Sequence, residues 1–497
     1  MNVRRQIEKV LDEDGGRTVG VVVQMHADPA GPAADLGHRA QATSAREVLP
    51  EPVRAVRSAA VLAGTTAGGV PNARPAVPDL AGGGPAQPGL AAVRSANAAA
   101  LEPLLATDAV RGGGGAVRPF WPSRSAYVEL DRDELAKLSG LPGLAAVYPN
   151  VELALPPVAA ARELPTAVLE NSASSWGVTA VGALAAWGAY GARGAGVTVG
   201  VLDSGVQADH PDLAGKVKHW AEFDDQGHPV DSTPRDTQGH GTHVCGTIAG
   251  GDRSGQWIGV APEAELAVAR VLPNGRGTLA QIQAGLTWAI EQRVDVISMS
   301  LSAPLLDDED GFVSLAPNVF TESFLTCMRA GIPVVAAIGN RGGETGATTG
   351  GDVFALGVGA TDYRDVVAGF SGGLSEVVIT STLIAADKLP LMFIKPDICA
   401  PGMAVTSSYL DGTWKALNGT SMATPHVAGA VALLLSAVPS IRTGHEGFKR
   451  AAYVIEQLIG SADELGEAGQ DARYGFGRLN VLRAIALARS VGSGGPQ

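Results

Sequence analysis

The sequence predicts an α/β protein in three layers, a mostly parallel sheet between helices, preceded by a small α+β unit. Three observations carry this. From about residue 174 onward the runs GVTVGVLD, AELAVARVL, VDVISMSL, IPVVAAIGN and VFALGVGA are almost continuously apolar. Strands wet on one face alternate, whereas strands covered on both faces do not. Helical stretches such as LAQIQAGLTWAIEQR separate those runs, as crossovers between parallel strands require. Upstream, shorter segments follow one another as strand, helix, strand, helix, strand.

The upstream elements come in order. Residues 18–26, TVGVVVQMH, read as a strand. Residues 28–88 are Ala, Gly and Pro with scattered Arg and no period, so they read as a flexible insertion. Residues 90–107 form a helix, ended by GGGG at 112–115. A strand at 127–130, a helix at 133–138 started by an acidic turn, a Pro-Gly turn and a strand at 144–148 follow. An extended tail rich in Pro and Ala runs from 149 to about 173. The resulting domains are 1–165 and 174–492, with no internal repeat.

Bulk properties narrow the function classes. The chain has 497 residues, 45% hydrophobic and 18% charged, with a formal net charge of -13. No basic cluster is present, which argues against a nucleic-acid partner. Three cysteines, Cys245, Cys327 and Cys399, are too few for a disulfide framework. No apolar run approaches membrane-span length, so no membrane partner is expected. The opening MNVRRQIEKVLDEDGG is charged, and VGVVVQM is short and preceded by acids. No secretory signal is read there. That reading predicts a cytoplasmic protein, with secretion the alternative if the true start differs or export takes another route.

In open parallel sheets functional groups gather at the carboxyl ends of the strands. GVTVGVLDSGV puts Asp203 at such an end, where a carboxylate is costly unless its charge is met. DTQGHGTHVCGTIAG presents His240 and His243 in a Gly-rich turn. IPVVAAIGN ends in Asn340, and NGTSMATP presents Ser421 ahead of a long apolar helical run. Serine is a weak nucleophile until a base takes its proton, and the base needs a carboxylate to fix its tautomer. The oxyanion formed on attack needs donors, and an Asn amide is a recurrent choice. Pro425, about one turn into the serine helix, removes an amide donor. Two other readings are a catalytically silent binding protein, which would lack one of these parts, and a metalloenzyme using His240, His243 and Cys245. The second has no Glu between the histidines and no complete ligand set.

The order Asp, His, Ser along the chain is the subtilisin order. VLDSGV, GHGTHV, AAIGN and GTSMATPHVAG together resemble the signature blocks of subtilisin-like serine proteases, across roughly residues 174–490. Residues 18–26 and 116–155 resemble the inhibitory prodomain of that family, with 28–88 as an unusual insertion. The resemblance implies a subtilisin-like fold and a serine endopeptidase acting through an acyl-enzyme, made as a self-processing zymogen. It implies Asp203, His240 and Ser421 as the triad and Asn340 as oxyanion donor, with His243 structural. Ser300, Leu301 and Ser302 would lie on one substrate-pairing edge and Gly277 on the facing one. Ser302 stands where Gly is common. Arg341, next to Asn340, reads as a solvated surface residue, with preference for an acidic substrate residue as the other reading. Polypeptide substrates and the chain's own prodomain are the implied partners, and the state is monomeric. No cofactor is required, and a structural calcium at a site other than Asp212 stays open. Asp212, in DHPDL, matches a family calcium ligand, but GGDRSGQW brings Arg253 to that site, so no tight calcium site is expected there. Processing is expected between about Asn150 and Ser175.

Overall fold

The computed structural model describes residues 18–27, 89–108, 110, 117–138, 140–155, 173–301, 306–307, 313–314, 318–342, 349–378 and 391–492. The insertion at 28–88, the glycines at 112–115, Ser302 and most of the expected processing segment lie outside them.

The N-terminal unit contains β1 (Thr18–Met25), α1 (Leu90–Leu105), β2 (Val117–Phe120), β3 (Ser125–Asp131), α2 (Arg132–Leu138) and β4 (Leu144–Pro149). Its strands form an antiparallel sheet in the order β2-β3-β1-β4. The sequence reading missed β2. Its string, VRPF, contains Pro119, which cannot donate to a ladder and is tolerated because the strand is at the edge. The period of two along β1 divides its side chains. Val19, Val21 and Val23 point into a small core with Leu101, Leu104 and Leu135. Val22 points the other way, into the large core of the downstream unit, as do Phe120, Tyr127 and Tyr148. One face of this sheet is therefore its own core, and the other is packed against the rest of the chain.

The larger unit contains β6 (Thr198–Asp203), β7 (Val217–Phe223), β8 (Pro229–Val230), α3 (His240–Ala249), β9 (Glu265–Arg270) and β10 (Arg276–Thr278). They are followed by α4 (Leu279–Glu291), β11 (Val296–Met299), α5 (Asn318–Arg329), β12 (Val334–Ala337), β13 (Ala355–Thr361), β14 (Ile398–Pro401) and α6 (Thr420–Ala437). Its main sheet runs β14-β13-β12-β11-β6-β9-β7-β8, and every neighbouring pair is parallel except β7–β8. This is the predicted parallel α/β sheet. From β6 the chain moves outward to β7, returns to β9, then crosses to β11 on the far side. The carboxyl end of β6 thus faces the crevice where the winding changes direction.

Helix α6 amends one expectation. Its 18 residues are long and apolar enough to match a membrane span, but 94% of them are buried within the fold. It is the central core helix, and apolar residues all round are what burial on all sides demands.

The two units meet along α4 and α5. The turn at Trp121–Ser123 lies against both helices. Thr326 Oγ1 donates to Pro122 O at 2.8 Å, and Ser123 Oγ donates to Gln283 Oε1 at 3.2 Å. The chain then continues as β5 (Glu152–Ala154), which pairs antiparallel with β10 so that Leu153 faces Gly277. Val151 O and Asn150 Oδ1 accept the first amides of α4, from Leu279 and Ala280, at 2.9 Å each. Those amides have no partner within the helix.

Candidate active site

Asp203 is the last residue of β6 and is fully buried. Its Oδ1 accepts from Ser204 N and from His240 Nδ1, both at 2.7 Å. His240 is the first residue of α3, and its backbone amide donates to Gln238 Oε1 at 2.7 Å. The carboxylate fixes the imidazole tautomer. A proton on Nδ1, held by Asp203, leaves Nε2 with its lone pair. Nε2 is buried and has no hydrogen-bond partner.

Ser421 is the second residue of α6, which packs against α3. Gly419 precedes it with φ 154°, a backbone region favouring glycine. The amides at this helix start have no partners in the first turn and carry the positive end of the helix dipole. Pro425 has no N–H to give to the carbonyl four residues back, which is that of Ser421. Ser300 fills the place: its Oγ donates to Ser421 O at 3.0 Å. In return Ser421 Oγ donates to Ser300 O at 3.4 Å, and not to His240 Nε2. Nucleophile–base bonds are often loose before substrate arrives.

Asn340 follows β12 and reaches the same helix start. Its Oδ1 accepts from Thr420 N and Thr420 Oγ1, each at 2.9 Å. A backbone amide only donates, so the atom facing it is the oxygen. Nδ2 therefore points to the other side, toward Gly419.

The remaining candidates divide. Gly277 is in β10, paired with the chain's own β5. Ser300 and Leu301 are fully buried, and the Ser300 side chain is committed to Ser421. Ser302 lies outside the described residues, and Arg341 is exposed. His243 is buried with Nε2 at 2.9 Å from Val405 O and 3.0 Å from Lys415 O. Burial pushes its pKa down to about 3, so it is a neutral donor to those carbonyls. Cys245 is buried, and burial pushes its thiol well up, which keeps it protonated and unreactive. Among the described residues no group of three or more His, Cys, Asp or Glu is arranged to hold a metal. Asp212 accepts from Trp414 Nε1 at 2.6 Å and from the backbone amide of Arg253 at 2.7 Å. It is thus the backbone of Arg253, rather than its guanidinium, that occupies the carboxylate.

Two supports escaped sequence reading. Asp236 accepts from Gln238 N, Gly239 N, Thr242 N and Thr242 Oγ1. Burial alone would raise its pKa, but these bonds hold it below the usual range. The N-cap is Gly239 and Asp236 lies three residues before it, outside the usual capping position, so its bond to the Thr242 amide gave no local signal. Arg270, at the end of β9, gave none either.

A serine at one helix start and a carboxylate-bonded histidine at another, above a parallel sheet, is the arrangement of a serine hydrolase. The chain belongs to the subtilase family, whose model matches residues 194–477. It is 36% identical to Subtilisin DY of Bacillus licheniformis over 301 residues, 60% of this chain and 93% of that protein. It is 38% identical to Subtilisin BL of Lederbergia lenta over 314 residues, 62% of this chain and 97% of that protein. Subtilisin E of Bacillus subtilis (strain 168) is 36% identical over 300 residues, 59% of this chain and 67% of that protein. The protein is a subtilisin-like serine endopeptidase. The N-terminal sheet precedes the matched residues.

Proposed function

We propose that Asp203, His240 and Ser421 are the triad of this endopeptidase, with Asn340 Nδ2 and the Ser421 amide as the oxyanion donors. The observation that carries this reading is the 2.7 Å bond between His240 Nδ1 and Asp203, which leaves a buried basic Nε2. Ser421 Oγ attacks the scissile carbonyl carbon as Nε2 takes its proton. Asp203 stabilises the imidazolium, and the developing oxyanion meets Nδ2 and the amide at the start of α6. Collapse expels the amine, which takes the proton from Nε2. Water then attacks the acyl-enzyme by the same route.

The N-terminal unit is an inhibitory prodomain in this reading, and the chain is a zymogen that cuts itself. Support comes from β5, which lies antiparallel on β10 at Gly277 as an extended polypeptide substrate would. Ser300 and Leu301 are the facing edge in this reading, pairing with substrate through backbone. The test is Ser421→Ala. It should accumulate as an uncut chain near 50.5 kDa, while wild type yields a shorter, active chain. Turnover should fall by about a millionfold, the magnitude known for subtilisin, a relative. Wild type that is fully active at full length would overturn the zymogen reading. Activity equal in both proteins would overturn the triad.

A further inference from the structure

Arg270 ends β9 directly beside Asp203 in the parallel ladder, and Glu222 of β7 flanks it on the other side. Both side chains are buried, at 5% and 7% exposure. The guanidinium makes three bonds in three directions. Nε donates to Ser204 O at 3.0 Å, in the turn that carries the acid. Nη2 donates to Thr237 Oγ1 at 3.0 Å, in the loop that delivers His240. Nη1 donates to Glu222 Oε1 at 2.5 Å. Glu222 is itself gripped by Arg235 of that same loop, at 2.6 and 3.0 Å.

The acid turn and the base loop already touch through backbone. Val206 N donates to Arg235 O at 3.1 Å, and Gly205 bridges Asp236. A Cβ on Gly205, which has φ 124°, would sit 2.0 Å from Arg235 O. Ser204 Oγ donates to Asp236 Oδ1 at 3.1 Å and accepts from Gly241 N at 2.9 Å. These contacts fix how close the two segments come. The acid turn is held to the sheet by β6 itself and by the Val271 and Leu272 amides on Asp203 O, and the base loop by Glu222 on Arg235. Arg270 bonds to both segments at once, from a backbone that is in the ladder with Asp203.

We propose that Arg270 is a positioning residue for the reaction. Its rigid fork, oriented by Glu222, ties the Asp203 turn to the His240 loop and so sets the bond between His240 Nδ1 and Asp203. An Arg is required because three donors in one plane serve three acceptors, which a lysine's single ammonium cannot match in geometry. The proposal rests on the reading of Asp203 and His240 as acid and base.

The experiment compares Arg270→Met, Arg270→Lys and Thr237→Val with wild type and His240→Ala, each checked for native circular dichroism and melting temperature. Arg270→Met should lose about tenfold to a hundredfold in kcat with KM nearly unchanged, the scale expected for misplacing a catalytic group. Loosening the bond to Asp203 withdraws support from the imidazolium, so the acid limb of kcat/KM should move downward. The downfield proton resonance of His240 Nδ1–H should broaden or disappear. Arg270→Lys should recover part of kcat, and Thr237→Val should show a smaller loss of the same kind. If Arg270→Met does not fold, Thr237→Val carries the test through the same readouts. Wild-type kcat, acid limb and resonance in folded variants would reduce Arg270 to a sheet-end brace and overturn the proposal. A fully active His240→Ala would instead overturn the acid–base reading beneath it.

Discussion

Glu322, on α5, faces the N-terminal unit across the interface, and its titration should govern how firmly that unit stays docked. Arg124 of the N-terminal unit donates through Nη2 to Glu322 Oε1 at 2.5 Å, with both side chains nearly buried at 7% and 2% exposure. Despite the ion pair, burial raises the Glu322 pKa to about 7, outweighing the pull of Arg124 and Arg329 and a bond from Gln24. The desolvation penalty exceeds the Coulomb gain, as is common for buried pairs. When the units separate, α5 faces water and the carboxyl returns toward its ordinary value near 4.5. The docked state therefore holds more protons between those two values. Docking strengthens as pH falls through about 7, and the gain is complete below about 4.5. From pH 8 to pH 5 the docking constant should rise by about one to two orders of magnitude. The assay is hydrogen exchange on the uncut Ser421→Ala chain, reading the opening of α5 and β5 amides after correction for intrinsic rates. Glu322→Gln keeps the acceptor but cannot ionise, so its opening should be nearly flat over this range. The exposed pairs Arg94–Glu291 and Arg276–Glu152 are present in both proteins and cancel in the comparison. An equal slope in Glu322→Gln, or opening that increases as pH falls, would refute the argument.

Other outcomes follow from the same geometry. Asn340→Leu should lower kcat by about a hundred- to a thousandfold with KM little changed, measured on a soluble peptide substrate. Cys245→Ala should retain most activity, because the thiol is buried and protonated; near-complete loss in a folded variant would contradict that. Added calcium should give no heat protection that Asp212→Asn abolishes, since the two Asp212 oxygens already accept from the Trp414 indole and the Arg253 backbone amide.

The sheet and the four candidate residues that it brings together were legible because each rests on a local signal. An apolar run ending in Asp203, a Gly-flanked His240, an apolar run ending in Asn340 and a Gly-Thr-Ser helix start are each short strings. What sequence could not convey was pairing at a distance. Pro425 announces that some carbonyl loses its donor, but nothing in the string says that Ser300, 121 residues away, will supply it. The substrate-edge reading of Ser300 concerns its backbone; what the string does not give is the direction of its hydroxyl. Arg270 is invisible as a positioning group because its partners come from β7 and two loops, brought together only by the parallel ladder. The edge strand β2 was hidden by Pro119, whereas the burial of α6 was legible in a run that is apolar on every side.

The chemistry of the interface between the two units bears on whether it is permanent. The core inside the N-terminal unit is valine and leucine throughout its centre. The surface that α4 and α5 present to that unit is mixed, with Gln283, Glu322, Ser323 and Thr326 buried among its apolar residues. Each of these has an answering group. Gln283 Oε1 accepts from Ser123 and Ser323, Thr326 donates to Pro122 O, and Glu322 meets Arg124. Permanent interfaces tend to be as apolar as a core cut in half. A surface built from groups that hydrogen-bond equally well to water pays little on exposure and gains little net energy on burial. Leaving one partner unpaired in the docked state would be costly, so these contacts select register more than they add strength. Such a face suits a catalytic unit that spends part of its life covered and part of it wet. The carboxyl of Glu322, pushed toward its protonated form by burial, makes the balance between those two states depend on pH.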